Sequence, residues 1–103
     1  MAVIEVTKDN FESEVINSDK KVLADFNANW CGPCKMLKGV LDEVSKANDD
    51  FKIVSINIDD EEELSEKYGV SSIPCLVVFD KGKETKRNVG LISKDEIKEM
   101  MRG

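Results

Sequence analysis

The chain has 103 residues, of which 41% are hydrophobic and 35% are charged, and its formal net charge is −6. This length fits one small domain, predicted to span residues 1–103, and the composition is that of an ordinary globular protein. The negative charge argues against nucleic acid or an anionic membrane surface as the main partner. No apolar run approaches the roughly 20 residues of a membrane helix, and no secretory signal is evident, so we expect a cytoplasmic protein.

Short apolar runs predict strands at 3–6, 22–26, 53–58 and 76–79, and the turn at 80–83 predicts a further strand, charged on one face, at 84–89. Helices are predicted around 11–16, along the apolar stripe that follows Cys31, at 61–68, and from Ser93, which forms a capping-box pattern with Glu96. The order is βαβαβαββα. It implies right-handed crossovers and a largely parallel α/β sheet covered on both faces, closed by an antiparallel hairpin at a charged edge.

The sequence contains three cysteines and no histidine. Without histidine, Cys–His and Ser–His nucleophilic catalysis are excluded. An odd number of cysteines argues against a disulfide-stapled framework, and a close pair in a reducing compartment is more typical of catalysis or metal binding.

The segment Trp30-Cys31-Gly32-Pro33-Cys34 lies between a predicted buried strand and a predicted amphipathic helix. Cys31 falls near the helix N-terminus, where unpaired N–H groups and the macrodipole stabilise a thiolate. Cys34 lies one turn further on, within reach of a disulfide, and Pro33 suits a first helical turn. The pattern predicts that an exposed Cys31 attacks a substrate disulfide and that a shielded Cys34 resolves the mixed disulfide.

A metal site is the alternative interpretation of a C-x-x-C pair. Structural zinc needs four ligands, commonly Cys or His, and iron–sulfur clusters need as many thiolates. Only Cys75 is available as a third soft ligand. We therefore expect no metal within one chain, although a metal shared between subunits stays open.

Asp25 lies in the second predicted strand, where both faces are apolar. We therefore expect it to be buried, which is costly for a carboxylate and tends to raise its pKa. A pKa near neutrality suits a base for the Cys34 thiol. A hydrogen-bonded structural aspartate is the alternative.

The motif, extended by Lys35-Met36, resembles the active site of the thioredoxin family. Further matching segments occur in the same order along essentially the whole chain: Asp25-Phe26, Asn57-Ile58-Asp59, Lys67-Tyr68-Gly69-Val70, Ile73-Pro74 and Val89-Gly90. The resemblance implies the thioredoxin fold, with a five-stranded mixed sheet flanked by four α-helices.

The resemblance also implies roles for particular residues. It implies a cis peptide bond before Pro74, a loop there that binds an extended substrate segment, a proton-acceptor role for Asp25, and redox tuning by Gly32 and Pro33. The apolar rim of the substrate groove would comprise Trp30, Gly32, Pro33, Ile73, Pro74, Gly90 and Leu91. Ordinary partial burial is the alternative for Ile73 and Leu91.

By the same resemblance, the function is protein-disulfide reduction through a reversible Cys31–Cys34 disulfide, with electrons delivered to cytoplasmic target proteins. No bound cofactor is expected, and the protein would be a monomer. A thioredoxin reductase, dependent either on NADPH and flavin or on ferredoxin, would recycle it. An oxidant or isomerase role and a non-catalytic binding module are the alternatives.

Four positions depart from the family pattern. Asn27 stands where many members carry Trp, Ser55 where many carry Lys near the buried aspartate, and Gly39 where a helix-kinking Pro is usual. Cys75 replaces the usual Thr after the proline. It is interpreted as a small buried residue, with a regulatory third thiol, a competing disulfide partner or a partner contact as alternatives. The acidic run 59–63 is interpreted as a solvated helix start that could instead guide a basic reductase.

Overall fold

The computed structural model describes residues 2–102. Its strands are β1 (Ile4–Glu5), β2 (Lys21–Asn27), β3 (Phe51–Asn57), β4 (Cys75–Asp80) and β5 (Lys83–Val89). A π-helix spans Glu12–Ile16, and the α-helices are α1 (Gly32–Lys46), α2 (Glu62–Lys67) and α3 (Lys94–Met101). The predicted order of strands and helices is confirmed. Among the described residues, no helix has the length and apolarity needed to cross a membrane.

The strands form one mixed sheet in the order β1-β3-β2-β4-β5. Strands β1, β3 and β2 are parallel, whereas β4 is antiparallel to both β2 and β5. The five-stranded mixed sheet that the resemblance implies is confirmed, and half of the neighbouring strand pairs are antiparallel. The segment that contains α2 leaves the end of β3 and returns to the same edge of the sheet. Strand β4 therefore begins at that edge and runs antiparallel to β2.

This topology gathers three chain segments at one edge of the sheet. Asn27 and Asn57, the last residues of β2 and β3, are register partners. Cys75, the first residue of β4, pairs with Phe26 near the end of β2. The segments that follow β2 and β3 and the segment that precedes β4 therefore meet there, as functional loops do at the ends of open α/β sheets.

The core lies on both faces of the sheet, and alternate residues of β2 serve opposite faces. Val22, Ala24 and Phe26 belong to one buried cluster, together with the aromatic ring of Phe11. Leu23 belongs to the other, beneath α1 and α3. This confirms that the near-continuous apolar run of β2 is a strand buried on both faces.

The first helix is a π-helix rather than the predicted α-helix. Its i to i+5 hydrogen bond joins the Asn17 N–H to the Glu12 carbonyl at 2.9 Å. The Ile16 carbonyl at its end lies against Gly82, where a Cβ would come within 2.9 Å of the Ile16 oxygen. Gly82 also has φ +82°, so both space and backbone conformation require glycine there.

Local predictions near the C-terminus are confirmed. Strand β5 lies at a sheet edge and is mostly exposed and charged, which protects that edge from pairing with another chain. The capping box forms, because the Glu96 N–H donates to Ser93 Oγ at 3.2 Å and the Ser93 N–H donates to Glu96 Oε1 at 3.1 Å.

Candidate active site

Cys31 and Cys34 form a disulfide where β2 leads into α1. Cys31 is the N-cap of α1 and has an extended backbone (φ −92°, ψ 113°), so its side chain precedes the helix while Cys34 lies within the first turn. The two Cα atoms are 5.2 Å apart, within the ordinary range for a disulfide. Pro33 occupies the first turn, where the lack of an N–H costs no helical hydrogen bond.

The N-terminus of α1 is directed at the Cys31 sulfur. The Cys34 N–H donates to Cys31 Sγ at 3.2 Å, so the sulfur takes the place that a Ser or Asp oxygen holds in a usual N-cap. Once the disulfide opens, the same N–H and the helix macrodipole stabilise negative charge on this sulfur.

The predicted difference in exposure between the two cysteines is wrong for this disulfide state. Cys31 is 6% exposed and Cys34 is 4% exposed. Ile58, which follows β3, and Ile73, which precedes β4, pack against the pair together with Ala28. Sequence reasoning missed these contacts because Ile58 and Ile73 are far from the cysteines along the chain.

Asp25 is buried, as predicted, with only 3% of its surface exposed. Burial raises the pKa of its carboxyl from 3.8 to about 7, a hydrogen bond from Asn27 opposes that rise, and the charge of Glu5 adds to it. Within residues 2–102, Asp25 Oδ1 has no hydrogen-bond partner. The structure therefore holds a carboxyl that changes protonation near neutral pH and keeps one oxygen unpartnered.

A cavity of about 640 Å³ connects the buried carboxyl with the disulfide. Asp25 and Cys34 both line it, from β2 and α1 respectively. Asn27 and Ser55, two of the four departures from the family pattern, line it as well. The space beside the carboxyl is thus bounded by short polar side chains, and it gives the carboxyl and Cys34 common access to solvent.

The segment before β4 carries the cis-proline feature. The Ile73–Pro74 peptide bond is cis, and the Pro74 carbonyl accepts a hydrogen bond of 2.9 Å from the Gly90 N–H. Ile73 packs against the cluster that contains both cysteines, so this cluster is connected through Ile73 and Pro74 to Gly90.

The rim residues differ in how exposed they are. Trp30 is 69% exposed, and Gly32, Pro33 and Leu91 are also exposed. Ile73 and Gly90 are half-buried, whereas Pro74 is buried. Pro74 is therefore not part of the exposed rim. The partial burial of Ile73 comes from its packing on the disulfide pair.

One contact at this edge was missed by the sequence analysis. The indole Nε1 of Trp30 donates to Asp59 Oδ2 at 2.9 Å. In the sequence, Asp59 belongs to a segment that matches the family and to the acidic run 59–63, and no contact with Trp30 was predicted. The signal that could have revealed the contact is the pairing of β2 with β3, since Trp30 and Asp59 follow strands whose ends are adjacent.

The other two departures from the family pattern are Cys75 and Gly39. Cys75 is a free thiol, 1% exposed, in the core cluster with Phe26 and Val77. Burial raises its pKa. Gly39 is exposed in the middle of α1, which is continuous across it. Cys75 is thus a small buried residue here and takes no part in the disulfide.

No cluster of three or more Cys, His, Asp or Glu side chains that could hold a metal ion occurs in the described part of the chain. The chemistry that the site itself offers is reversible disulfide formation. Its parts are a dithiol at a helix N-terminus, a titrating carboxyl on a shared cavity, and an apolar surface around the pair.

Comparison with known proteins agrees with this geometry. Residues 2–103 match the family model described as Thioredoxin. A thioredoxin of Rickettsia prowazekii (strain Madrid E) is 41% identical over 93 residues, which cover 89% of each chain. A thioredoxin of Pyropia yezoensis is 40% identical over 98 residues, covering 94% of this chain and 92% of the relative. A thioredoxin of Mycoplasmoides gallisepticum is 38% identical over 89 residues, covering 86% and 89%.

The match extends over nearly the whole chain, and the pair that the motif predicts forms the disulfide that dithiol–disulfide exchange requires. The chain belongs to the thioredoxin family and is a thiol–disulfide oxidoreductase that works through its own Cys31–Cys34 disulfide.

Proposed function

We propose that this oxidoreductase acts as a general reductant of protein disulfides, with Cys31 as the nucleophile and Cys34 as the resolving thiol. The observation that carries the proposal is the hydrogen bond from the Cys34 N–H to Cys31 Sγ at the N-terminus of α1. It favours the thiolate on Cys31, the sulfur that lies at the tip of the helix.

In the first step, the Cys31 thiolate attacks one sulfur of a substrate disulfide. A Cys31–substrate bond forms, the substrate bond breaks, and the other substrate sulfur leaves as a thiolate that takes up a proton. In the second step, the Cys34 thiol loses its proton and attacks Cys31. The Cys31–Cys34 bond forms, the Cys31–substrate bond breaks, and the second substrate sulfur leaves as a thiolate that takes up a proton, so two electrons have passed to the substrate.

Asp25 is proposed as the acceptor of the Cys34 proton. A pKa of about 7 leaves a useful fraction of the carboxylate ionised at neutral pH while keeping it basic enough to take a proton from a thiol. Its unpartnered oxygen and the cavity it shares with Cys34 support this role. Gly32 and Pro33, exposed in the first turn between the cysteines, are proposed to tune the redox couple.

The substrate is proposed to be an extended protein segment bound over the disulfide. Exposed apolar surface at Trp30, Pro33 and Leu91, with Gly32 between the cysteines, supports an apolar groove. Ile73, Pro74 and Gly90 form its floor and wall, and the backbone of the cis-proline segment would pair with the substrate as an added strand does.

The protein needs disulfide-containing substrates and a reductase that returns its electrons. We assign the reductase to the thioredoxin reductases, with NADPH and flavin or with ferredoxin as the electron source. The charge of −6 supports the absence of nucleic acid and membrane surfaces as partners, and the protein is proposed to be a cytoplasmic monomer of one domain. Analytical ultracentrifugation of the whole chain tests whether it is a monomer in solution.

The reduction potential of the Cys31–Cys34 couple tests the proposed direction of electron flow. The protein is equilibrated against a dithiol buffer, the thiols are trapped, and the reduced fraction is measured. A potential more reducing than that of glutathione is expected. A clearly more oxidising value would identify an oxidant or isomerase instead, and the lack of a reversible couple would leave only a binding module.

A further inference from the structure

The Asn27 side chain lies between the buried carboxyl and the neighbouring strand. Its Nδ2 is 2.9 Å from the Asp25 carbonyl oxygen, 2.8 Å from Ser55 Oγ and 3.4 Å from Asp25 Oδ2. The orientation of the amide is fixed by chemistry, because a backbone carbonyl accepts hydrogen bonds and cannot donate. Asn27 and Asp25 share a face of β2, and Ser55 is the register partner of Asp25 on β3.

The amide of Asn27 has two hydrogens and faces three acceptors. The two short contacts, to the Asp25 carbonyl and to Ser55 Oγ, use these hydrogens most directly. Asp25 Oδ2 has only the longer contact and must share a hydrogen with one of them. Ser55 and the carboxyl therefore compete for the same donor.

We propose that Asn27 is a positioning residue for the Asp25 carboxyl: its shared amide holds Oδ2 and leaves Oδ1 as the oxygen that exchanges a proton with Cys34. The inference rests on the role proposed above for Asp25. The unpartnered Oδ1 and the cavity common to Asp25, Asn27 and Cys34 are the observations that support it. Ser55 Oγ competes for the same amide hydrogen and thereby weakens the hydrogen bond from Asn27 to Oδ2.

Other charged groups surround this carboxyl, and the test must keep them constant. Glu5 from β1 and Lys35, Lys38 and Asp42 from α1 line the same cavity. Of these groups only Glu5 contributes recognisably to the carboxyl's pKa, which it raises, and on β4 the charge of Asp25 helps to raise the pKa of the buried Cys75 thiol. On β4, the register partner of Asp25 is the apolar Leu76. Changing Asn27 or Ser55 alters no formal charge, so the resulting shifts do not arise from a change in the charges around the carboxyl.

The test uses the full chain with Asn27→Ala, Ser55→Ala and Asn29→Ala. Asn29 lines the same cavity and is exposed, and no hydrogen bond joins it to Asp25, so Asn29→Ala is the matched control. The Asp25 carboxyl is titrated by carbon NMR in the oxidised protein, in which neither Cys31 nor Cys34 ionises. The rate of mixed-disulfide resolution is then measured against pH with a trapped substrate.

We expect Asn27→Ala to move the carboxyl's midpoint to higher pH, because the ionised form loses its donor. Resolution at pH 6 should slow by about two- to fivefold, as for the loss of one modest hydrogen bond. Ser55→Ala should shift the midpoint in the opposite direction, because it frees an amide hydrogen for Oδ2. Asn29→Ala should shift neither quantity.

An unchanged midpoint in Asn27→Ala would overturn the proposal. Midpoint shifts of the same sign in Asn27→Ala and Ser55→Ala would show that Ser55 and the carboxyl do not compete for the amide hydrogen. If Asn27→Ala does not fold, Ser55→Ala alone tests the proposal: a midpoint shift to lower pH supports it, and no shift or a shift to higher pH overturns it. Asp25→Asn is measured in parallel. If it leaves resolution unchanged, the base role itself fails, while the NMR midpoints still report separately on Asn27.

Discussion

Trp30 and Asp59 are joined by an indole-to-carboxylate hydrogen bond of 2.9 Å across the loops that follow β2 and β3. Trp30 is 69% exposed, so little packing holds the ring, and this bond fixes its orientation beside Cys31. The bond also places a negative charge at the edge of an otherwise apolar surface.

Asp59→Ala is therefore expected to free the Trp30 ring. Trp30 is the only tryptophan in the chain, so a lower fluorescence anisotropy reports the change directly. The KM for protein disulfides should rise by about two- to fivefold while kcat changes little, as expected for loss of one exposed hydrogen bond. Asp60→Ala, a neighbouring exposed acid, is the control. Unchanged anisotropy in Asp59→Ala would show that the bond does not orient the ring.

The contribution of Asp25 to the stability of the oxidised protein should fall as pH rises from about 4 to about 7. The folded protein keeps the Asp25 proton up to about pH 7, whereas the unfolded chain releases it near pH 3.8. The unfolded state therefore binds fewer protons over this range, and the free energy of unfolding decreases with pH. Asp25→Asn removes this dependence and should be more stable than the unaltered protein at pH 8, by an amount on the order of 4 kcal/mol or less.

Urea unfolding of both proteins at pH 4, 6 and 8 checks this. The difference between them should grow with pH and then level off above about pH 8. Equal slopes against pH in the two proteins would show that Asp25 is not the group responsible.

Arg87 links β5 to the C-terminal end of α2. Its guanidinium donates to the Tyr68 and Gly69 carbonyls and binds both carboxylate oxygens of Glu84. Arg87→Ala leaves two helix-end carbonyls without this donor and should lower the free energy of unfolding by about 1 to 2 kcal/mol. Arg87→Lys should retain only part of this stabilisation, because an ammonium group cannot reproduce the forked hydrogen bonds of the guanidinium.

Arg102→Ala is the matched control for that loss. The Arg102 guanidinium forms an ion pair with Glu99, and both side chains are about 70% exposed. An exposed pair of this kind contributes little, so its loss should leave stability almost unchanged. Equal losses in the two variants would mean that the carbonyl contacts of Arg87 add nothing.

How far the sequence determines these features depends on whether local patterns encode them. The alternation of Leu23, Ala24 and Asp25 predicts a strand buried on both faces, and with it a buried carboxyl. The position of the dithiol at the start of α1 is also predictable from local sequence, because the two cysteines directly precede the apolar stripe of the helix. The mixed character of the sheet was harder to predict from the residues alone, because it depends on the direction in which the α2 segment returns the chain.

Contacts between distant segments were not predictable in the same way. The packing of Ile58 and Ile73 against the cysteine cluster depends on loops that the sheet topology brings together. The competition between Ser55 and Asp25 for the Asn27 amide depends on the register of β2 against β3. A one-residue change of register would reverse the face of each side chain, so only the folded structure reveals this contact.

Cys75 should behave as an inert core residue despite its place after Pro74. It is 1% exposed, and burial raises the pKa of its thiol, so both access and thiolate formation are disfavoured. In the reduced native protein, iodoacetamide should modify Cys31 first and reach Cys75 only after denaturant is added. Mass spectrometry of the oxidised protein should show a single disulfide, between Cys31 and Cys34. Cys75→Ala supplies the control for assigning the label, and rapid native labelling of Cys75, or a disulfide that includes it, would instead identify a third redox-active thiol.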